Sequence, residues 1–254
     1  MRAMSTIALI ALAATLGACA AGGQPRIPRE RIDRALASAP YAAQPSLVVA
    51  RESEFARAAR EKGQWTAFRE FAADGALLHG RNGPVPAQAV LATLENPPVA
   101  VQWSPRTVMM SCDGKMAVST GRFRDPEDLV GDFATVWTRE RNDDEYEWAY
   151  DVGGYDDPQP APVERDPDEI VATAYDAVQG LVADCPKGGE TVPLPPALGP
   201  VGAAKRGEQI SRDGTLRWVW EHLPDGTKHV RADYYTSGAW ETIVDKRLVS
   251  PPED

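Results

Sequence analysis

The chain has 254 residues, of which 43% are hydrophobic and 25% are charged, and its formal net charge is −10 at pH 7. The ordinary apolar fraction supports a folded core and argues against global disorder. An acidic chain without a basic groove argues against nucleic acid as a partner. The length allows one large domain or two small ones.

The first residues have the layout of a secretory signal. A positive charge at Arg2 precedes an apolar segment, residues 7–16, that is too short for a permanent membrane span. The following Leu16-Gly17-Ala18-Cys19 resembles the bacterial lipobox, in which the cysteine is lipidated and becomes the mature N-terminus. The alternative is an ordinary cleavage site beside an incidental cysteine. We expect residues 1–18 to be a signal peptide and Cys19 to carry the lipid.

The segment after the lipobox predicts a tether and a cellular location. Ala20 follows the cysteine, and by resemblance to enterobacterial sorting rules this residue favours the periplasmic face of the outer membrane. Residues 19–44 are rich in glycine, proline and arginine, as expected of a tether. The arginines either contact anionic head groups or belong to a solvated linker. Several acyl chains hold a protein at a bilayer far better than one, so the predicted anchor would be stable.

Two cysteines remain beyond Cys19, and they are Cys112 and Cys185. Neither belongs to a CxxC motif, which argues against a zinc site. In an oxidising compartment such a pair either forms a disulfide or is buried as free thiols. A Cys112–Cys185 disulfide would close a long loop and contribute about 4 kcal/mol in the chain-entropy model.

Three helices are predicted in the first third of the chain. Leu47–Lys62 has an apolar stripe at helical spacing, with Glu52 among the charged residues placed outside it, and Gly63 is a C-cap. Gln64–Ala73 predicts a second helix. Asp74-Gly75 predicts a turn, followed by a short strand over Ala76–His79, and a third helix is predicted over Pro84–Leu94.

Four long antiparallel strands are predicted next. They span Val99–Ser111, with an edge or a bulge at Pro105, then Lys115–Arg124, and then a hairpin over Val130–Gly154. Alternation places Tyr146, Trp148, Tyr150 and Val152 on one face of the last strand. Helices on one face of an antiparallel sheet predict an α+β fold. A strongly curved sheet would leave a cavity beneath the helices.

Six short motifs occur in the order and spacing of a known family. They are Glu54-Phe55-Ala56-Arg57-Ala58-Ala59-Arg60-Glu61-Lys62-Gly63, Trp65-Thr66-Ala67-Phe68, Asp74-Gly75-Ala76, Trp103-Ser104-Pro105, Val118-Ser119-Thr120-Gly121 and Thr135-Val136-Trp137. With these motifs, residues 45–155 resemble an NTF2-like domain of the DUF4440, or SnoaL-like, group. The resemblance implies a cone of three helices against a curved sheet, with a pocket at its open end. The family includes isomerases, dehydratases, cyclases and many non-enzymes.

The rest of the chain predicts a smaller unit. Residues 156–167 read as a linker, residues 168–183 as a helix, and the chain then reads as four short strands separated by turns. Trp218, Trp220 and Trp240 are expected at the apolar centre of this meander. Residues 168–250 are too few for a large independent core, so we expect them to pack on the first domain.

Candidate site residues follow from the resemblance and from residue chemistry. A carboxylate base in the ketosteroid-isomerase branch of the superfamily has a place similar to that of His79, so the resemblance implies a base there; the alternative is a hydrogen-bonded histidine at a domain edge. Trp103, Trp137 and Asp151 are candidates for a ligand pocket, with core packing and a loop cap as alternatives.

A second pair of histidines depends on the length of a turn. A two-residue turn at Asp225-Gly226 would bring His222 and His229 side by side as two possible metal ligands, an incomplete site. A loop that includes Pro224 would set His222 opposite Lys228. The chain has no GxSxG, HExxH, P-loop or dinucleotide motif, so no metal and no cofactor are predicted.

Three functions are compatible with these observations. The first is a lipid-anchored periplasmic protein that binds a small apolar or amphipathic molecule or acts as a non-catalytic scaffold. The second is an isomerase or dehydratase that uses His79 as its base. The third is an envelope protein that binds a partner through its C-terminal meander. A homodimer through the sheet is a further expectation.

Overall fold

The computed structural model describes residues 43–161, 177–187, 190–199, 202 and 205–250. The predicted signal peptide, Cys19 and nearly all of the predicted tether lie outside the described residues. So do residues 168–176 of the predicted C-terminal helix. The described residues form an α+β fold with large curved sheets and few helices.

Three helices lie in the first part of the described chain. Helix α1 spans Pro45–Lys62, α2 spans Gln64–Phe71, and α3 spans Ala87–Leu91. Gly63 separates the first two at a φ of +101°, a conformation that favours glycine. The third helix is shorter than predicted, because Gly83–Pro86 pairs with the preceding strand instead. Within the described part of the chain, no helix has the length and apolar character needed to cross a membrane.

The first sheet has seven strands in the order β2-β1-β6-β5-β4-β3-β7. Their bounds are Ala72–Gly80 (β1), Gly83–Pro86 (β2), Gln102–Met110 (β3), Met116–Arg124 (β4), Val130–Thr138 (β5), Glu147–Tyr155 (β6) and Gln179–Val182 (β7). The predicted meander is β3 to β6, and the register shift at Pro105 is the predicted bulge. The pairs β1–β6 and β3–β7 are parallel.

Two expectations for this sheet are wrong. Gln179–Val182 was expected in a helix but forms β7, because it completes the edge of β3. Gly180 suits that position, since a Cβ there would lie 2.9 Å from the ring of Pro45. A register shift between Val136 and Trp137 also splits the aromatic face predicted for β6, so that Trp148 and Tyr150 point to opposite sides of the sheet.

The second sheet is the predicted C-terminal meander. Its strands are Lys205–Ile210 (β8), Leu216–His222 (β9), Lys228–Thr236 (β10) and Ala239–Leu248 (β11), in the order β11-β10-β9-β8. Trp218 is fully buried and Trp220 packs beside it, whereas Trp240 lies outside the core and donates to the Pro193 carbonyl over 2.8 Å.

The first sheet is the middle of three layers. The helices cover one side, which we call the helix face, with Phe55, Trp137 and Trp148 in its core. The second sheet covers the other side, which we call the sheet face, with Tyr150 and Trp218 in its core. The chain's own meander therefore occupies the sheet face. A homodimer through the sheet stays a prediction and would need another surface.

Two turns with the same sequence pattern meet where the sheets join. Residues 111–114 and 211–214 both read Ser-x-Asp-Gly, and in each the serine hydroxyl donates to the aspartate, over 2.7 and 2.6 Å. The turns also bond to each other. The Asp113 amide donates to the Asp213 carboxylate over 2.7 Å, and the Cys112 amide donates to the Thr215 hydroxyl over 3.0 Å.

Candidate functional site

A cavity of about 230 Å³ lies between the first two helices and the helix face of β3–β6. Six of its lining residues are aromatic and only three are polar. The lining residues are Phe55, Gln64, Phe68, Val101, Trp103, Phe123, Phe133, Thr135, Asp151, Gly153 and Tyr155. The hollow is therefore mostly apolar with a small polar region, which is the usual character of a small-molecule site.

Strand alternation places the polar region. Asp151, Gly153 and Tyr155 follow one another at every second position of β6, so all three face the helices. Across the ladder, Thr135 lies opposite Asp151 and Phe133 lies opposite Gly153. The Thr135 hydroxyl donates to the Asp151 carboxylate over 2.6 Å. Gly153 has no side chain to fill the space in front of the sheet, which keeps the cavity open.

Trp103 and Trp137 take different places around this hollow. Trp103 lines the cavity, whereas Trp137 is fully buried and is not among the lining residues. Both indole N–H groups donate to the Glu52 carboxylate of α1, over 3.1 Å from Trp103 and 3.0 Å from Trp137. The Ser119 hydroxyl is a third donor to Glu52. Trp137 is therefore linked to the lining residue Trp103 through their shared partner Glu52.

Glu52 differs from its predicted place. The sequence predicts it on the charged side of α1, but it is only 1% exposed. The signal was present in the spacing, because Val48, Glu52, Phe55 and Ala59 recur at helical intervals along one stripe. A charged residue inside such a stripe needs hydrogen-bond donors, and the two indoles and the serine supply them.

Two carboxyl groups have a raised pKa here: Asp151, which lines the cavity, and Glu52, which bonds the lining residue Trp103. Burial raises the pKa of Glu52 above its ordinary value, although its three hydrogen-bond donors act against the shift. Burial also raises the pKa of Asp151 to about 7; the Thr135 hydrogen bond opposes this, and the nearby Glu52 carboxyl adds to it. Asp151 can therefore exchange a proton near neutral pH.

His79 lies on the other side of the sheet. It pairs with Val152 of β6, whose side chain belongs to the sheet face, and is 3% exposed. One ring nitrogen bonds the Tyr150 hydroxyl and the other lies 3.2 Å from His222. Burial, followed by the charge of Lys228, lowers the pKa of His79 to about 3. It is not among the residues that line the cavity.

The His222–His229 pairing does not form, because the loop includes Pro224. Lys228 lies opposite His222, and His229 lies opposite Glu221. His229 instead bonds the Glu221 and Asp245 carboxylates, over 2.9 and 2.7 Å. Among the residues that the structure describes, no group of three or more histidine, cysteine or acidic side chains is arranged to hold a metal ion.

Cys112 and Cys185 form a disulfide, with their Cα atoms 5.1 Å apart. The bond joins the turn before β4 to the segment after β7, close to the contact between the two Ser-x-Asp-Gly turns. It lies among the elements that unite the two sheets and lines no part of the cavity.

Comparisons with known proteins add no identity to this geometry. A scan against protein-family models found no match. A search of curated proteins found none either.

Proposed function

We propose that this protein binds a small, mostly apolar molecule in the cavity between its first two helices and the sheet, as a lipid-anchored protein of the periplasm. The observation that carries the proposal is the hollow itself, with six aromatic side chains in its lining. A filled, close-packed layer is the usual arrangement where a helix covers a sheet, so an aromatic-lined space at this position indicates a ligand.

The element order supports an NTF2-like cone as the fold of residues 45–155. Three helices precede a four-strand meander, and the helices cover one face of it. A cavity between the helices and the sheet is compatible with the pocket that the resemblance implies. Residues from four of the six family-like motifs line it, among them Phe55, Phe68, Trp103 and Thr135.

The size of the hollow limits the ligand. Small-molecule pockets usually occupy about 300–1,000 Å³, and this cavity holds about 230 Å³. The ligand is therefore a small compound with roughly the bulk of one aromatic ring and a short chain. A long acyl chain or a steroid would not be enclosed.

Binding can be tested with 4-phenylbutan-1-ol, a neutral compound of this size, by isothermal titration calorimetry. We expect saturable binding to the wild type and its loss in Gly153→Leu, whose new side chain would enter the cavity. A Cβ at Gly153 meets only ordinary contacts, 3.5 Å from Phe123 and 3.8 Å from the Asp132 carbonyl.

The matched control is Gly80→Leu. It makes the same change on the same sheet, at a position where a Cβ meets nothing within 4 Å. Equal binding by the wild type and by Gly153→Leu would contradict the proposal, as would no binding to a folded wild type.

The anchor is a separate part of the proposal and rests on Leu16-Gly17-Ala18-Cys19. Expression in a bacterium with lipoprotein processing, followed by mass measurement and detergent partitioning, tests it. We expect the mature wild type to begin at Cys19, to carry acyl chains and to enter the detergent phase. Cys19→Ala should stay in the aqueous phase, and identical behaviour of the two proteins would refute the anchor.

Asp151 favours an isomerase or dehydratase as the second candidate. Such enzymes move a proton near neutral pH, and the cavity presents a carboxyl whose pKa is about 7. His79 lies on the sheet face and has a pKa of about 3, which favours Asp151 over His79 as the base in this cavity. As a carboxylate, Asp151 could take a proton from the carbon next to a carbonyl group.

The test is hydrogen–deuterium exchange of 4-phenylbutan-2-one in heavy water, followed by NMR. Exchange beside the carbonyl that is faster with the wild type than with Asp151→Asn or buffer would support catalysis. Exchange at the rate of the buffer would leave binding as the function.

A further inference from the structure

The described lining of the cavity contains an acidic side chain but no basic one. Asp151 has the one carboxyl group among the described residues that line it, and the lining includes no lysine, arginine or histidine. Glu52 lies close enough to Asp151 to raise its pKa, and it is satisfied by the neutral donors described above. A carboxylate ligand placed beside Asp151 would therefore meet repulsion, and no basic side chain of the described lining would offset it.

The rest of the lining suits a positive charge. Aromatic rings attract cations through the negative charge of their faces, and the attraction is largest where water is excluded. Phe123 and Tyr155, which both line the cavity, are in contact at the C-terminal end of β6, four residues beyond Asp151, with ring centroids 5.2 Å apart. Gln64 and Thr135 are the other polar residues of the lining, and each can accept a hydrogen bond.

We propose that the cavity selects a small amine, with an ammonium group at the Asp151 carboxylate and an apolar body among the aromatic side chains. This inference rests on the proposed function and adds the chemical class of the ligand. The ammonium would donate to the Asp151 oxygen that Thr135 does not use, since Thr135 donates to Oδ2. A charged hydrogen bond of this kind is stronger than one from an alcohol.

One positive charge lies close enough to weaken this preference. Lys228 is on the sheet face, where its ammonium donates to the Gly153 carbonyl over 2.8 Å, and its charge acts on Asp151 through the sheet. Burial lowers the pKa of Lys228 to about 8, so this charge is reduced as the pH approaches that value. The preference for an amine should therefore be clearest at pH 8.

Three compounds with one skeleton test the proposal: 4-phenylbutylamine, 4-phenylbutan-1-ol and 4-phenylbutanoate. Their affinities are measured by isothermal titration calorimetry at pH 8. We expect the amine to bind about tenfold more tightly than the alcohol, and the carboxylate to bind most weakly. In Asp151→Asn, the amine should lose about tenfold while the alcohol changes by less than about threefold.

The control for the loss of charge is Asp74→Asn, which removes a carboxylate from an exposed position of β1. It should leave all three affinities unchanged. A second readout needs no substitution. In the wild type the amine should bind more weakly at pH 6 than at pH 8, because it must displace the proton that Asp151 holds with a pKa of about 7. The alcohol should not show this dependence.

The outcomes separate the two proposals. If the alcohol binds and the amine binds no better at either pH, the amine proposal is wrong and the cavity proposal stands. If none of the three compounds binds, both the amine proposal and the cavity proposal are wrong. If Asp151→Asn does not fold, the pH dependence in the wild type decides, and Gly153→Leu should abolish binding of all three compounds.

Discussion

The two faces of the first sheet are built from the same strands, but they differ in the sign of their buried ionisable groups and in how closely they are packed. The helix face holds two acids, Glu52 and Asp151, and a hollow. The sheet face holds bases, among them His79 and Lys228, and is packed with aromatic side chains. Burial drives the acids toward their protonated form and the bases toward their neutral form. On the helix face, Asp151 combines a buried ionisable group with open space, which is why we propose the ligand site there.

The largest difference between the faces should appear in stability. Trp218→Ala removes a ring that is 1% exposed from the packed layer between the sheets and should cost about 3–5 kcal/mol. Phe123→Ala removes a partly buried ring that borders the hollow and should cost about 1 kcal/mol, because less apolar surface is lost from packing. Urea unfolding followed by fluorescence measures both values. Equal costs would mean that the two layers are packed alike.

A smaller effect is expected from the dependence of stability on pH. Asp151 has a pKa of about 7 in the fold against 3.8 as its ordinary value, so the folded state binds the proton more tightly. Its contribution to stability is therefore present at low pH and is lost as the pH rises through about 7. Asp151→Asn lacks this loss and should be more stable than the wild type at pH 8 by on the order of 1–3 kcal/mol.

The measurement is the free energy of unfolding of both proteins at pH 5.5 and pH 8. The difference between the two proteins isolates Asp151 from the histidines, which titrate in both. A difference that does not change with pH would show that Asp151 ionises in the cavity as it does in water.

The smallest expected effect concerns His79. His79→Gln removes one of the hydrogen bonds to Tyr150 and His222 and should cost about 1 kcal/mol of stability. It should leave the affinity for 4-phenylbutan-1-ol unchanged, since the ring lies behind the sheet. A large loss of affinity with unchanged stability would mean that His79 takes part in ligand binding. It would contradict the assignment of binding to the helix face alone.

Much of the sheet could be predicted because local patterns decide it. The hairpin of β5 and β6, the bulge at Pro105 and the turns of the meander follow from alternation, proline and glycine. These signals act over a few residues and survive in any tertiary setting. Asp151 and Trp103, which residue chemistry favours as pocket residues, both line the cavity.

What could not be predicted depends on contacts between distant segments. The strand at Gln179–Val182 forms because β3 offers it an edge, which local helix propensity does not reveal. The side of His79 depends on its parallel pairing with β6 and on the irregular register between Ala72 and Leu77. One residue of register moves a side chain to the other face, so its site could not be fixed from the chain alone.

The contact between the two Ser-x-Asp-Gly turns has a consequence for solvent exchange. Amide protons in turns usually exchange within moments, since they face water. The amides of Cys112 and Asp113 are bonded across to Thr215 and Asp213. They should keep their protons until the two sheets separate. The exchange rate of these two amides would therefore report the opening between the sheets, independently of the unfolding of either sheet.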